Sequence, residues 1–295
     1  MELLGGAIFL KDVENVARAV RKMDKQLREC LFANNGEPQI KKLWENTYIK
    51  KQVDKRADGG TFTLEEHIRG MVYSMLTSGA PWNRIEPYID PKTGRIQIID
   101  EIFCQYDTDA LLHTDPAELC DKIKKNKLGT QYIKKQMNAL VYTNIGKLLD
   151  MQKEYGSVDN CYRQFVKKYD NLKTLVRELS TAGKPYKMAQ LGEALTAEYL
   201  KNAGYDIGKP DRHICRILGS EYLSCSEQKT VSPYEAIDII AAIAKKLDKP
   251  AAEVDYILWA YCADGYGQVC TKINPKCKEL CSVKSLCNHI YKQED

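Results

Sequence analysis

The chain has 295 residues, 44 of them Lys or Arg and 40 Asp or Glu, so the formal net charge is only +4; 44% are apolar and 28% charged. This is the composition of a soluble globular protein, long enough for one large domain or two moderate ones, with too little Gly (18) and Pro (10) for a disordered or collagen-like chain. The longest apolar run, Leu3 to Leu10, falls well short of the roughly 20 residues that a membrane-crossing helix needs. No basic leader precedes that run, so it does not read as a secretory signal, and a cytoplasmic protein is expected.

Apolar spacing is helical almost throughout. Val13, Val16, Val20, Met23, Leu27 and Leu31 step by three or four and predict a long first helix with one apolar stripe. Asp54 to Gly60 (DKRADGG) is the clearest break in periodicity. Thr63-x-x-Glu66 predicts a capping box opening a helix that buries Leu64, Ile68, Met71 and Met75. Arg95-Ile96-Gln97-Ile98, beside Gly94, is the one strand-like alternation and predicts a small hairpin. Ile133, Met137, Leu140 and Leu148 mark another helix, and Leu172, Leu175 and Leu179 a further one. Ser232-Pro233-Tyr234-Glu235 predicts a second capping box, with Pro at the first helical position, leading into Ile237, Ile240, Ala244 and Leu247. Pro250 starts a last helix carrying Val254, Ile257, Leu258 and Tyr261. The fold class expected is all-α.

Charge is uneven in one stretch. Residues 121–153 hold eight Lys against two Asp, a local +6 in a chain of +4. A solvated helix face is one reading. Phosphate contact is the other, because a row of Lys raises the potential that draws in a polyanion; Lys124, Lys125 and Lys127 are its densest part.

The 11 cysteines are an odd number, and four of them, Cys270, Cys277, Cys281 and Cys287, fall in the last 26 residues. Without a secretion signal a metal site is a better reading than a disulfide framework. Polar neighbours such as Lys272, Asn274, Lys276 and Lys278 set these cysteines apart from thiols on apolar helix faces. Four thiolates at short spacing suit a [4Fe–4S] cluster or an all-cysteine zinc site.

The tail VCTKINPKCKELCSVKSLC resembles the iron–sulfur loop of the endonuclease III group of helix-hairpin-helix DNA glycosylases. That group spaces its ligands Cys-x6-Cys-x2-Cys-x5-Cys, and this sequence has one extra residue between the second and third cysteines. Upstream, Gln190 to Leu200 (QLGEALTAEYL) resembles the hairpin and second helix of that element. It is followed by Asp211-Arg212-His213-Ile214-Cys215-Arg216, which resembles the family's Asp-x-His-x-x-Arg stretch. The resemblance spans roughly residues 62–290.

The resemblance implies two helical domains: a barrel over 63–204 that ends in the helix-hairpin-helix, and a second domain from 1–62 plus 205–295 that carries the cluster, with a DNA cleft between them. It implies a DNA glycosylase of base excision repair, acting as a monomer on double-stranded DNA with a damaged or modified base, nucleoid-associated if the source is bacterial. Asp211 would be the catalytic carboxylate, although Pro-Asp before a helix is also a plain N-cap and the two roles are compatible. Gly192, Ala194, Thr196 and His213 would face DNA, and Cys270, Cys277, Cys281 and Cys287 would hold the cluster, or zinc as the alternative.

The chain departs from the family pattern in the hairpin. Gln190 stands where a first glycine is usual, and Glu193 brings a negative charge near the phosphate position. The Schiff-base lysine of bifunctional members is replaced by Ala194, which favours a monofunctional hydrolase. A second alignment uses Gly183 to Ala189 as the hairpin and makes Lys187 the nucleophile of a glycosylase/lyase. A non-catalytic iron–sulfur DNA-binding protein is the third possibility. Gly79 takes the place of a gap-filling Gln, and Trp82, Tyr73, Tyr106 and Tyr186 are candidate stacking residues for which a core role is the alternative.

Overall fold

A computed structural model of the chain describes residues 13–34, 37–38, 40–77 and 84–289. The apolar run at 3–10, Gly79 and Trp82 lie outside the described residues. The described fold is helical, and its β structure is a two-residue antiparallel ladder, β1 Ala33–Asn34 on β2 Glu37–Pro38, plus one isolated bridge between Ile89 and Ile96. In chain order, α1 (Val13–Gln26) precedes the ladder. Then come α2 (Tyr48–Ala57), α3 (Leu64–Thr77), α4 (Gln97–Ile102), α5 (Thr108–Leu112), α6 (Pro116–Lys125), α7 (Ile133–Ala139), α8 (Ile145–Tyr155), α9 (Val158–Tyr169), α10 (Leu172–Ser180) and α11 (Glu193–Asn202). The last three are α12 (Arg212–Ile217), α13 (Pro233–Leu247) and α14 (Ala251–Cys262).

The chain divides into two compact units, residues 41–207 and residues 1–40 with 208–295. In the second of these, α1 packs on α13 and α14. Its buried stripe is the predicted one, Val16, Val20 and Met23, and it runs on through a π-turn at Leu27–Leu31 that buries Leu27. Ser232 caps α13 by accepting from the Glu235 amide at 3.3 Å, with Pro233 at the first position. Pro250 precedes α14, which buries residues on every side: Ala252, Val254, Leu258 and Tyr261 are all sealed.

The 41–207 unit is built around α3 and α11. The capping box opens α3 as predicted: Thr63 N–H donates to Glu66 at 2.9 Å and Glu66 N–H to Thr63 Oγ1 at 3.3 Å. Gly70 lets α11 approach closely, since a Cβ there would lie 3.1 Å from Asn202 Cβ. Beneath them lies a polar network. Asp159 of α9 accepts from Arg56 of α2 at 2.7 Å, from His67 Nε2 of α3 at 3.0 Å and from the Phe62 amide at 2.8 Å. With Nε2 donating to the carboxylate, His67 Nδ1 accepts from the Tyr199 hydroxyl of α11 at 2.9 Å, a tautomer fixed by the network. Burial pushes the His67 pKa down, which keeps the ring neutral. Burial alone would raise Asp159, but the hydrogen bonds from His67 and Arg56 outweigh it and hold the carboxyl at about 2.

Two segments differ from the sequence reading. Residues 41–62, grouped there with the termini, pack within the 41–207 unit, because Arg56 also donates through Nε to the Ala203 carbonyl at 2.9 Å and so ties α2 to the end of α11. The break expected at Asp54–Gly60 begins only at Asp58, since Asp54–Ala57 are the last turn of α2. Arg95–Ile98 is not a hairpin strand: Ile96 makes the single bridge to Ile89, and Gln97 already begins α4.

Asp159→Ala should cost about 3–5 kcal/mol, because it leaves a buried ring N–H and a buried amide without their acceptor and breaks the ion pair of the part-buried Arg56 guanidinium; urea denaturation measures it. The depressed Asp159 pKa sets a pH window. Its contribution is complete above the ordinary carboxyl value near 3.8 and is lost as pH falls toward about 2. Acid unfolding of Asp159→Asn should therefore show a shallower loss across that window than the unsubstituted chain.

Candidate active site and cysteine pocket

Asp211 is the N-cap of α12. One carboxylate oxygen, Oδ1, accepts from the His213 amide at 2.8 Å and the Ile214 amide at 3.1 Å, which fixes the side chain at the helix start. No hydrogen bond to Oδ2 is present among the described residues, and the side chain is half-buried rather than sealed. The cap and the candidate catalytic carboxylate are thus one group with its two oxygens divided between two tasks. His213 is half-buried beside it; burial pushes its pKa down, Asp211 pulls it up, and the cations Arg212, Arg216 and Lys209 push it down again.

The other end of α12 reaches the cysteine loop, where Arg216 donates to the Cys270 carbonyl. Cys270, Cys277, Cys281 and Cys287 line a single apolar pocket, together with Tyr222 and Tyr261. All 11 cysteines are free thiols. No group of three or more His, Cys, Asp or Glu side chains among the described residues is placed to hold a single metal ion. The pocket is held by side chains from outside the loop. Gln26 of α1 donates to the Leu280 carbonyl and accepts from the Tyr261 hydroxyl at 2.8 Å and the Ser282 amide at 3.2 Å. Asn288 donates from its amide to the Tyr222 carbonyl at 2.9 Å. Burial pushes the Cys287 thiol up to about 12. Cys262 of α14, which the sequence reading did not single out, lies beside the Cys270 thiol and, together with burial, pushes it up.

In the 41–207 unit, α10 and α11 are joined by the loop 181–192, which contains both alternative hairpins. Gly183 follows the end of α10 with φ +81, and Gln190 has φ +60 three residues before α11. Gln190 therefore occupies the left-handed region that a glycine would favour. Gly192 is the N-cap of α11, and no side chain caps that helix. A Cβ on Gly192 would meet nothing within 4 Å, so the fold itself does not require glycine there. Asn144 holds the loop from α8's side, donating to the Ala189 carbonyl at 3.0 Å and accepting from the Ala189 amide at 2.7 Å.

Lys187 lies in this loop, half-buried, with Nζ donating to the Met188 carbonyl at 2.6 Å and also to the Leu191 carbonyl. Burial pushes its pKa down. Ala194 is partly exposed in the first turn of α11. Thr196 corrects the expectation of a DNA-facing side chain: it is fully buried, because its position on α11 points at the core. Tyr73 and Tyr106 are also withdrawn from solvent, both donating to buried Asp100, and Tyr186 packs edge-on against Phe165 and bonds Tyr155 at 2.9 Å. Lys124, Lys125 and Lys127 are exposed on and just after α6.

No protein-family model and no curated protein matches the chain. Among solved structures it is similar to the 8-oxoguanine glycosylase/lyase of Methanocaldococcus jannaschii, in complex with a 15mer DNA containing 8-oxoguanine. Identity there is 18% over 82% of this chain and 95% of that one, with a TM-score of 0.48. It is also similar to the 8-oxoguanine DNA glycosylase of Thermotoga maritima, at 16% identity over 85% of this chain and 94% of that one, with a TM-score of 0.41.

Gln190→Gly should raise stability by up to about 1 kcal/mol, since glycine reaches the left-handed region without the Cβ penalty. Gln190→Val should lower it by more than that, β-branched side chains being the least tolerant of positive φ. Denaturant midpoints of the two variants test both signs.

Proposed function

We propose that this chain is a DNA N-glycosylase, which hydrolyses the bond between deoxyribose and a damaged or modified base flipped out of the duplex. Asp211 carries this reading: a carboxylate locked by two amides on one oxygen, with no hydrogen bond to the other among the described residues. Cleaving an N-glycosidic bond develops positive charge on the sugar. A fixed carboxylate stabilises that charge without reorganising, and its free oxygen can orient or deprotonate the attacking water. The bond is inaccessible inside a duplex, so the nucleotide must leave the stack first. Arg212, Arg216 and Lys209, the cations around His213, supply a positive setting for the DNA backbone.

The hairpin supports the same reading. The first turn of α11 has amides with no capping side chain, and Gly192 leaves open space in front of them. Such a helix start suits a phosphate, and it reads no base sequence. Gly192 and Ala194 are the residues assigned there.

The cysteine pocket supports a [4Fe–4S] cluster held by Cys270, Cys277, Cys281 and Cys287. The four thiols border one apolar pocket without closing on one point. That fits a cluster whose irons each take one thiolate, whereas a lone zinc needs all its ligands at roughly 2.3 Å from one centre. Bound there, the cluster would fix the tail and keep deprotonated the thiols that burial otherwise holds protonated. Arg216, Gln26 and Asn288 hold the loop from its flanks.

A second reading, a glycosylase/lyase, is favoured by Lys187, whose amine is half-buried with a lowered pKa, the condition for a nucleophilic lysine. We favour the hydrolase, because that amine already spans two carbonyls of its own loop and Ala194 has no nucleophile to offer.

The deciding experiment is base release from duplexes carrying single lesions, followed by alkaline cleavage of the abasic product. Asp211→Asn keeps the cap, since Asn caps as well as Asp; folding and DNA binding should survive while base release falls on the order of 10²-fold or more. Full activity in that variant would overturn the assignment. Borohydride should trap no enzyme–DNA adduct, and an adduct that disappears in Lys187→Ala would establish the lyase instead. The purified protein should be brown with broad visible absorbance, and Cys277→Ser or Cys281→Ser should remove colour and iron together.

A further inference from the structure

One face of the 41–207 unit combines exposed aromatic rings with unneutralised lysines. Tyr132, Lys135, Asn138 and Tyr142 are all exposed and fall along one stripe of α7 and the π-turn Leu140–Asn144 that continues it. The opposite side of the same helix buries Ile133, Met137 and Leu140. Tyr142 is 72% exposed and Tyr132 56%, and neither hydroxyl has a hydrogen-bond partner among the described residues. Tyr132 caps the start of α7, and Tyr142 lies in the π-turn ten residues on.

The lysines beside them are free of carboxylates. Among the described residues, no ion pair engages Lys124, Lys125, Lys127, Lys134 or Lys135. Lys122 is paired, with Glu118 at 2.7 Å, which leaves Asp121 as the remaining acid of α6 and α7. Those two helices pack on each other. Burial pushes the Cys120 thiol of α6 up, and the charges of Lys124 on α6 and Lys134 on α7 both pull it back down, so lysines of the two helices share one patch.

A solvated helix face accounts for the lysines but not for two large tyrosine rings left in water at either end of the same stripe. Rings of this kind stack on any unpaired base, and lysines between them meet the phosphates; together they form a sequence-tolerant site for a single strand. In a duplex the base faces are already stacked, so the rings would gain nothing there. We propose that the exposed face of α6, α7 and the π-turn binds single-stranded DNA, with Tyr132 and Tyr142 stacking on bases and Lys124, Lys125, Lys134 and Lys135 neutralising the backbone. The choice of DNA over RNA rests on the glycosylase reading; the site itself uses none of that reading's residues, so Asp211→Asn should leave it intact.

The test is fluorescence anisotropy of the full chain with labelled oligo-dT, with oligo-U of the same length and with a lesion-free duplex, each over a salt series. Tyr132→Ala combined with Tyr142→Ala should weaken oligo-dT binding about tenfold or more, with little change in the salt slope and none in duplex binding. The corresponding double Phe variant, which keeps both rings, should bind as the unsubstituted chain does. Lys134→Ala with Lys135→Ala should weaken binding and flatten the slope. Unchanged oligo-dT affinity in the double Ala variant, with circular dichroism showing an intact fold, would overturn the proposal, even if the lysine variant binds less. Tighter binding to oligo-U than to oligo-dT would overturn the assignment to DNA.

Discussion

A charged carboxylate taken out of water is tolerable only where it is fully paired, and in the 41–207 unit that condition falls on Asp159. Its two oxygens meet a guanidinium from α2, an imidazole from α3 and the amide of Phe62, and the imidazole passes the chain of hydrogen bonds on to Tyr199 of α11. The Tyr199 hydroxyl in turn lies 3.1 Å from that of Tyr162. Four helices thus have their mutual positions specified by directional bonds, where apolar packing alone would allow several near-equivalent slides. The helix that gains most is α11, which buries Thr196, Lys201 and Asn202 along with its apolar residues. Its first turn, beside Gly192, is held where the polar network puts it.

The other unit solves a different problem. Its cysteine loop includes only one short 3₁₀ turn, Lys284–Leu286, and so has little hydrogen bonding of its own. Order is imported instead: from Gln26 at the end of α1, from Tyr261 on α14, and from Arg216 on α12. Since α12 is only six residues long, its two ends are never far apart. The residue that starts it is Asp211, and the residue that reaches the Cys270 carbonyl is Arg216. The local order of the carboxylate and of the loop share one short rigid segment.

What could be read in the sequence followed from periodicity and spacing. The stripe of α1, the capping box of α3 and the Ser232-Pro233 start of α13 are all local patterns, and each appears where its residues announce it; the four tail cysteines, equally local, line one pocket. Helix α2 was not legible, because its ten residues bury only Gln52 and Val53 and it is secured by the polar reach of Arg56. The Asp159 network was invisible for the same reason: its members are ordinary polar residues bonded across as many as 132 positions, with nothing in their neighbourhoods to pair them. Gln190 was noted as a departure from glycine, and the backbone nonetheless takes glycine's conformation there. Thr196 was misjudged because a hydroxyl near a helix start looks solvent-facing until the direction of the helix face is known.

The π-turn at Leu140–Asn144 has a consequence for how this helix can change over time. A π-turn holds one more residue than the α-turn it replaces, and each residue advances an α-helix by about 100°. The α7 and α8 segments are therefore out of phase as a single helix: Tyr142 keeps its place in solvent while Asn144 turns inward to both backbone atoms of Ala189. Deleting one residue would restore a regular helix and swing everything after it by roughly a quarter turn, carrying Asn144 off the hairpin loop. Point substitutions at the solvent-facing positions leave that phase untouched, so this stretch can vary in side chain far more freely than in length.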